Sequence, residues 1–251
     1  MSLRKLRSAS KIGKITWPNI LNFLTHEINS LPEGSLLLDA GAGQQKLREY
    51  CSNLRYVSQD FCEYDGIGDG RGLHEGYWDT KNIDIISDIC SIPVPSGTFD
   101  AVVCTEVLEH VLDPISAVNE LFRVTKKGGV LVLTVPSFSA VHFAPQHYYT
   151  GFTRYFWERV LDQAGYFKFE IRESGNILSV AAESLSMIKG SLLAEADQIP
   201  GYFSARILKA FCYALVLEVA RIVLGLANHL QFACFENKLL ACNTIFVKAY
   251  K

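Results

Sequence analysis

"LLLDAGAGQQ", residues 36–45, joins three consecutive leucines to an acid and then to two glycines with one alanine between them. A short run of large apolar residues bounded by turn formers reads as a strand buried on both faces. Asp39 ends the apolar run, and Gly41, Ala42 and Gly43 supply a tight turn in which a ligand can approach the main chain without a side chain in the way. In an open α/β sheet such a turn lies at the carboxyl edge of a strand, where ligands bind. The polar segment Gln44–Asn53 has helical character, and a helix there would present free N–H groups to a polar or anionic ligand group.

Outward from this stretch the order of elements is readable. A helix is expected over Pro18–Ser30 and strands over Ser35–Asp39 and Leu54–Gln59, the latter ending at Asp60. A glycine-rich loop, "YDGIGDGRGLHEGYWD" (64–79), precedes strands at Asp84–Ser87 and Phe99–Thr105. Pro114–Val124 has helical spacing, and Lys126-Lys127-Gly128-Gly129 reads as a helix stop and turn before strand Val130–Val135. Thr153–Ala164 reads as a helix, Phe167–Glu173 as a strand, residues 176–235 as mostly helical, and Thr244–Tyr250 as a final strand. Short apolar strands alternating with helices predict an α/β, Rossmann-like parallel sheet covered on both faces. The expected organisation is one domain over 1–251: a tail and helix at 1–32, a cofactor-binding core at 33–175, a helical insertion at 176–240 and a last strand at 241–251.

The bulk numbers agree with a globular chain. Of 251 residues, 49% are hydrophobic and 20% charged, and the net charge of −2 gives no electrostatic reason to expect nucleic acid. The seven cysteines are odd in number and form no CxxC, so reduced thiols in a cytoplasmic protein are expected. Arg4, Lys5, Arg7, Lys11 and Lys14 make a basic start, read as a solvated tail or as a contact with an anionic membrane surface. Wound as a helix, 207–235 carries an apolar arc of roughly 160° with Leu208, Phe211, Leu215, Val219, Ile222, Leu226 and Leu230. Packing on the domain, on a second copy in a homodimer, or on the inner membrane face would each cover it.

Asp60 stands about twenty residues beyond the glycine turn, where a carboxylate accepts hydrogen bonds from both ribose hydroxyls. A dinucleotide oxidoreductase would carry G-x-G-x-x-G, and here Gly41-Ala42-Gly43-Gln44-Gln45-Lys46 lacks the third glycine. Asp39, Asp60 and Asp88 stand at three strand ends, the set that an S-adenosylmethionine site needs.

The stretch "SDICSIPVPSGTFDAVVCTEVLEHVLDPISAVNELFRVTKKGGVLVLTVPS" (87–137), with "LLLDAGAG" and "SQD" before it, resembles class I S-adenosylmethionine-dependent methyltransferases of the type-11 kind. The matching pieces keep the family's order and spacing from residue 35 to about 174. The departure is Gln45, where many members have a third glycine; it adds bulk near the cofactor's amino-acid end. The resemblance implies a seven-stranded sheet with an antiparallel last strand. It places Gly41, Ala42 and Gly43 against the methionine part of the cofactor with Asp39 nearby, and Asp60 on the ribose. Phe61 would flank the adenine, Asp88 and Ile89 would meet its amino edge, and Thr105 and Glu106 would border the sulfonium. The structural alternative for the acids is capping of the following helices.

Methyl transfer from a sulfonium needs nucleophile, methyl and sulfur in line, and an alcohol acceptor needs a base for its proton. His110, in "EVLEH", is the first candidate base, and Glu106 and His147 are the other catalytic candidates. A cap or structural role in the loop is the alternative for His110. Glu106, Glu109 and His110 also resemble the acid-acid-histidine set with which ubiquinone-pathway O-methyltransferases hold a divalent cation. "EVLEH" is widespread in type-11 sequences, so no metal is assigned. "HFAPQHYYTGFTRYFW" (142–157) supplies His142, His147, Tyr148, Tyr149 and Phe152 for an acceptor wall, and Tyr77 or Trp78 an apolar cover. The pairing of this cluster with the glycine-rich loop is similar to type-11 enzymes of bacterial polysaccharide and surface-glycan pathways. That resemblance implies a sugar or lipid-linked glycan acceptor, with a soluble small molecule as the alternative. The fourth strand ending in Cys104-Thr105-Glu106 rather than an NPPY-type motif favours oxygen as the methylated atom. The remaining alternatives are a nicotinamide oxidoreductase and a cofactor-binding protein without turnover.

Overall fold

The computed structural model describes residues 16–69, 76–175, 180–181, 184–185, 211, 214–226 and 243–251. Strands β1 (Leu36–Ala40), β2 (Arg55–Asp60), β3 (Ile85–Ile86), β4 (Phe99–Thr105), β5 (Thr125–Pro136), β6 (Lys168–Ser174) and β7 (Thr244–Tyr250) make one sheet in the order β3-β2-β1-β4-β5-β7-β6. All pairings from β3 to β5 are parallel, and β7 runs antiparallel to both β5 and β6. Among the described residues outside 175–243 the α-helices are α1 (Thr16–Asn29), α2 (Pro114–Val124) and α3 (Arg154–Ala164).

The central strands are buried on both faces, which is why they read as continuous apolar runs rather than alternating ones. On one face Leu37, Ala101, Val103 and Val132 pack with Ile20, Leu24 and Ile28 of α1. Leu38, Val102 and Leu131 share a register and point to the other face. There the buried side of α2, with Ala117, Val118 and Leu121, meets β5. The start of α2 is fixed by sequence: Pro114 takes the first position and Asp113 accepts the Ser116 N–H at 3.0 Å. Thr153 caps α3, and Gly165 ends it at a φ of 100°.

Three expectations differ from the fold. No α-helix follows β1: the segment is a series of turns with a 3-10 turn at Arg48–Tyr50. Gln45 there has a φ of 57°, a left-handed conformation that interrupts helical hydrogen bonding. Lys126 to Gly129 do not form a free turn after α2 but open β5. Thr125 pairs with Phe99, and Lys126 Nζ bonds Asp100 Oδ1 at 2.7 Å. The strand expected at Asp84–Ser87 is reduced to Ile85–Ile86, because Asp84 instead accepts hydrogen bonds from the Ser58 N–H and hydroxyl.

The chain divides into two compact units, Ile20–Ser174 with Thr244–Lys251, and Met1–Asn19 with Gly175–Asn243. In the second unit residues 214–226 are helical, and Phe211, Leu215 and Val219 of the expected apolar arc are exposed together with Val216 and Val223. Arg221, a charged residue of the same stretch, is 5% exposed and paired with Glu218 at 2.5 Å. Leu208, Leu230 and the basic start of the chain lie outside the described residues. Among the described residues no helix is long and apolar enough to cross a membrane.

Candidate active site

The strand order reverses between β1 and β4, and a cavity of about 780 Å³ opens at their carboxyl ends. This is the topological switch point at which open α/β sheets bind ligands. Gly41 leaves β1 with a φ of 75°, and a Cβ there would stand 2.4 Å from Val107, the second residue after β4. Gly43 has a φ of 49°, and a Cβ there would meet the Trp78 indole at 2.7 Å. Only glycine lets both strand ends and the Trp78 ring close on this elbow.

Asp60, at the end of β2, is 6% exposed and lines the cavity. Its Oδ2 accepts the Gly43 N–H at 2.8 Å and its Oδ1 the Cys62 N–H at 2.9 Å. Each carboxylate oxygen keeps a further lone pair for an incoming hydroxyl. The first two elbow amides are already used, since Gly41 and Ala42 both donate to the Gln59 carbonyl. Phe61, Asp88 and Ile89 also line the cavity, and Glu106 and His110 face it from the β4 side. Glu106 sits at the end of β4 with a φ of 51°.

Other expected residues stand behind the wall. Asp39, 3% exposed, does not line the cavity; it shares the face of Leu37 and Val103 and accepts the Tyr56 hydroxyl at 2.5 Å. Burial pushes its carboxyl up to about 6, with the Tyr56 hydroxyl pulling down and Asp60 adding to the rise. Ala42, Gly43, Thr105 and His147 are likewise absent from the lining. Gln45 places no bulk at the cavity: its amide donates to the Asn82 carbonyl and its oxygen accepts from Arg48.

The cover and far wall come from the two loops singled out by their aromatic content. Trp78, not Tyr77, lines the cavity; Tyr77 is 68% exposed. Trp78, Tyr64 and Phe143 meet pairwise with ring centroids 4.8–5.2 Å apart, and Phe143 stacks on His110 at 5.3 Å. Residues 70–75 of the glycine-rich loop lie outside the described residues. Tyr148 lines the cavity, whereas Tyr149 bonds the Leu112 carbonyl and Phe152 is buried against Trp157. Phe143, Tyr64 and Gln146 are lining residues that pattern reading did not single out. The only signal for Phe143 is its position inside a run of aromatic and histidine residues.

Behind His110 the loop after β5 meets the 3-10 turn Leu108–His110. The N–H groups of Tyr148 and Tyr149 both donate to the Glu109 carbonyl, at 2.9 and 3.1 Å. His110 Nδ1 contacts the Gln146 carbonyl at 2.6 Å, and its Nε2 faces His142 Nε2 at 3.1 Å. Burial, reinforced by His142 and opposed by the Gln146 carbonyl, lowers His110 to about 3. Burial and His142 lower His147 to about 4. Burial, with Glu106 adding to it, drives the Glu109 carboxyl well above the usual carboxylate range.

A family model described as a methyltransferase domain matches residues 38–133, which hold the elbow, Asp60, Asp88 and the β4 edge of the cavity. A tRNA (carboxymethyluridine(34)-5-O)-methyltransferase, alkbh8, of Xenopus tropicalis is 32% identical over 124 residues, 47% of this chain and 18% of that protein. A ubiquinone biosynthesis O-methyltransferase of Xanthomonas oryzae is 30% identical over 114 residues, 44% of this chain and 47% of that protein. The chain thus spans less than half the length of these relatives. In fold it is similar to a SAM-dependent methyltransferase from Archaeoglobus fulgidus, with a TM-score of 0.53 at 16% identity over 93% of this chain and 94% of the other. Together the matched segment, the seven-stranded sheet and the glycine elbow at its switch point give residues 38–133 the likeness of a methyltransferase domain of the type-11 kind, within a fold similar to that of class I S-adenosylmethionine-dependent methyltransferases.

Proposed function

We propose that the protein transfers the methyl group of S-adenosylmethionine to an oxygen of a small-molecule, sugar or lipid-linked glycan acceptor. One observation carries the reading: the cavity at the switch point has the Asp60 carboxylate at one side and Glu106 and His110 at the other. The ribose hydroxyls donate to Asp60, the adenine lies along Phe61 and Ile89, and the sulfonium faces Glu106. The acceptor enters between Tyr148 and Phe143. Both sequence relatives carry names of oxygen-methylating enzymes, which supports an oxygen nucleophile.

The step is an in-line displacement in which the acceptor oxygen bonds the methyl carbon as the carbon–sulfur bond breaks. Holding the three atoms collinear supplies the larger share of the acceleration, up to roughly 10 kcal/mol. The hydroxyl proton passes to Glu106, which lines the cavity. His110, whose Nδ1 is held by the Gln146 carbonyl, positions the wall beside it. A nucleic acid acceptor, as the name of the Xenopus relative would suggest, is disfavoured by the net charge of −2.

Isothermal titration with S-adenosylhomocysteine tests the cofactor assignment: binding is expected, and Asp60→Ala weakens it severely. Equal affinity in the variant removes the ribose role, and binding of a nicotinamide dinucleotide in its place overturns the reading. Labelled S-adenosylmethionine offered with glycan, lipid and RNA extracts identifies the acceptor class, and label in RNA alone would reverse the acceptor proposal.

A further inference from the structure

Three histidines converge behind the cavity wall. One ring nitrogen from each of His110, His142 and His147 lies within 4.8 Å of the other two. His110 comes from the turn after β4, and the other two from the loop after β5, so the fold rather than local spacing assembles them. Two of the rings have fixed tautomers. His110 Nδ1 is 2.6 Å from the Gln146 carbonyl and His142 Nδ1 is 2.9 Å from the Ala140 carbonyl. A carbonyl only accepts, so both Nδ1 atoms carry the hydrogen and both Nε2 atoms present lone pairs. Those lone pairs face each other at 3.1 Å.

A proton shared between them would satisfy two nitrogens and leave the rest of the cluster unaccounted for. Both ring nitrogens of His147 are buried without a hydrogen-bond partner among the described residues. Both carboxylate oxygens of Glu109, a residue 1% exposed, are in the same condition. Glu109 Oε1 lies 3.7 Å from His110 Nε2 and 3.9 Å from His142 Nε2. A buried carboxylate without donors is costly unless a cation meets it.

We propose that His110, His142 and His147, with Glu109 as fourth donor, bind one divalent transition metal of the zinc kind. In a tetrahedral zinc site donor atoms stand about 3.3 Å apart; the separations among His110, His142 and Glu109 are 3.1, 3.7 and 3.9 Å, and the His147 nitrogen, within 4.8 Å of the other two histidines, has to close in by a ring rotation. Imidazole donors suit zinc, copper, iron and nickel rather than magnesium or calcium. Two ligands already have the outer support that metal-bound histidines use, an Nδ1–H held by a main-chain carbonyl. This donor set differs from the Glu106–Glu109–His110 triplet of the sequence, because two of its members come from the loop after β5. The ion would clamp that loop to the turn after β4 and so hold Phe143 and Tyr148 in place at the cavity. It does not depend on the methyl-transfer reading.

The test uses the full chain without an affinity tag, stripped with chelator and titrated with Zn²⁺ against a chromophoric competitor, then with Co²⁺ followed in the visible. One tight equivalent, ligand-field bands of tetrahedral intensity and a raised melting temperature are expected. His142→Ala and His147→Ala should each weaken Zn²⁺ by more than the roughly 10–100-fold that losing an outer-shell partner costs. His26→Ala, at an exposed site, should leave binding unchanged. Glu109→Gln keeps the side-chain shape and should shift the Co²⁺ bands. Far-ultraviolet circular dichroism and a cooperative thermal transition of the same variants report whether they are folded. A wild-type chain that binds no Zn²⁺, or folded His142 and His147 variants that bind it as tightly as wild type, overturns the proposal.

Discussion

Asp39 is held at a cost to the fold. It ends the apolar run of β1, is 3% exposed, and burial raises its carboxyl from 3.8 to about 6. A group with a raised folded-state value favours folding at low pH and loses that contribution as pH rises through about 6. Asp39→Asn removes the charge while keeping an oxygen to accept the Tyr56 hydroxyl. The variant is therefore expected to be more stable than wild type at pH 8, by on the order of 1–3 kcal/mol, with the gain vanishing near pH 4. Urea denaturation at the two pH values checks this, and a gain of equal size at both would show that the charge is not the cause. The same substitution should weaken S-adenosylhomocysteine binding, because the carboxylate lies directly behind the elbow. Glu106→Gln should instead lower turnover by about 10²–10⁴-fold with little change in that affinity, and equal losses of turnover and affinity would make Glu106 a binding residue.

Among the elements, strand ends were legible and loop packing was not. Asp60 and Asp88 could be placed because an apolar strand that ends in an acid is a local pattern. The meeting of Trp78, Phe143 and His110 depends on two loops 65 residues apart folding over the same edge. No spacing rule reports such a contact, and the same is true of His142 with His110. The helix expected after β1 failed for a local reason, the left-handed turn at Gln45. A less visible element tie holds the segment beyond Asp88. Arg123 of α2 donates to the Ile92 and Val94 carbonyls at 2.9 and 2.8 Å, and Glu120 accepts the Ile92 N–H at 2.6 Å. Arg123→Met keeps the length of the side chain but leaves two carbonyls and a nearly buried carboxylate short of donors. It should cost about 2 kcal/mol and weaken S-adenosylhomocysteine, since Asp88 and Ile89 lose the anchor of their segment. Denaturation combined with calorimetry measures both; lost stability at full affinity would separate this tie from the cavity.

At the scale of the whole molecule, the described lining of the cavity belongs entirely to the unit Ile20–Ser174 with Thr244–Lys251. A ligand that binds only the folded state adds RT ln(1 + [L]/Kd), about 2.7 kcal/mol at a hundredfold excess over Kd. That free energy is felt by segments whose opening destroys the site and by no others. With S-adenosylhomocysteine at that excess, hydrogen exchange should slow by up to roughly a hundredfold around residues 36–43, 56–64, 85–90 and 102–112. The helical residues 214–226 of the other unit contribute nothing to the described lining, and their exchange should stay as it was. Slowing of 214–226 to the same degree would mean that the two units open together as one cooperative body. Unchanged exchange at 36–43, in protein shown by calorimetry to be saturated, would mean that the ligand does not use the glycine elbow.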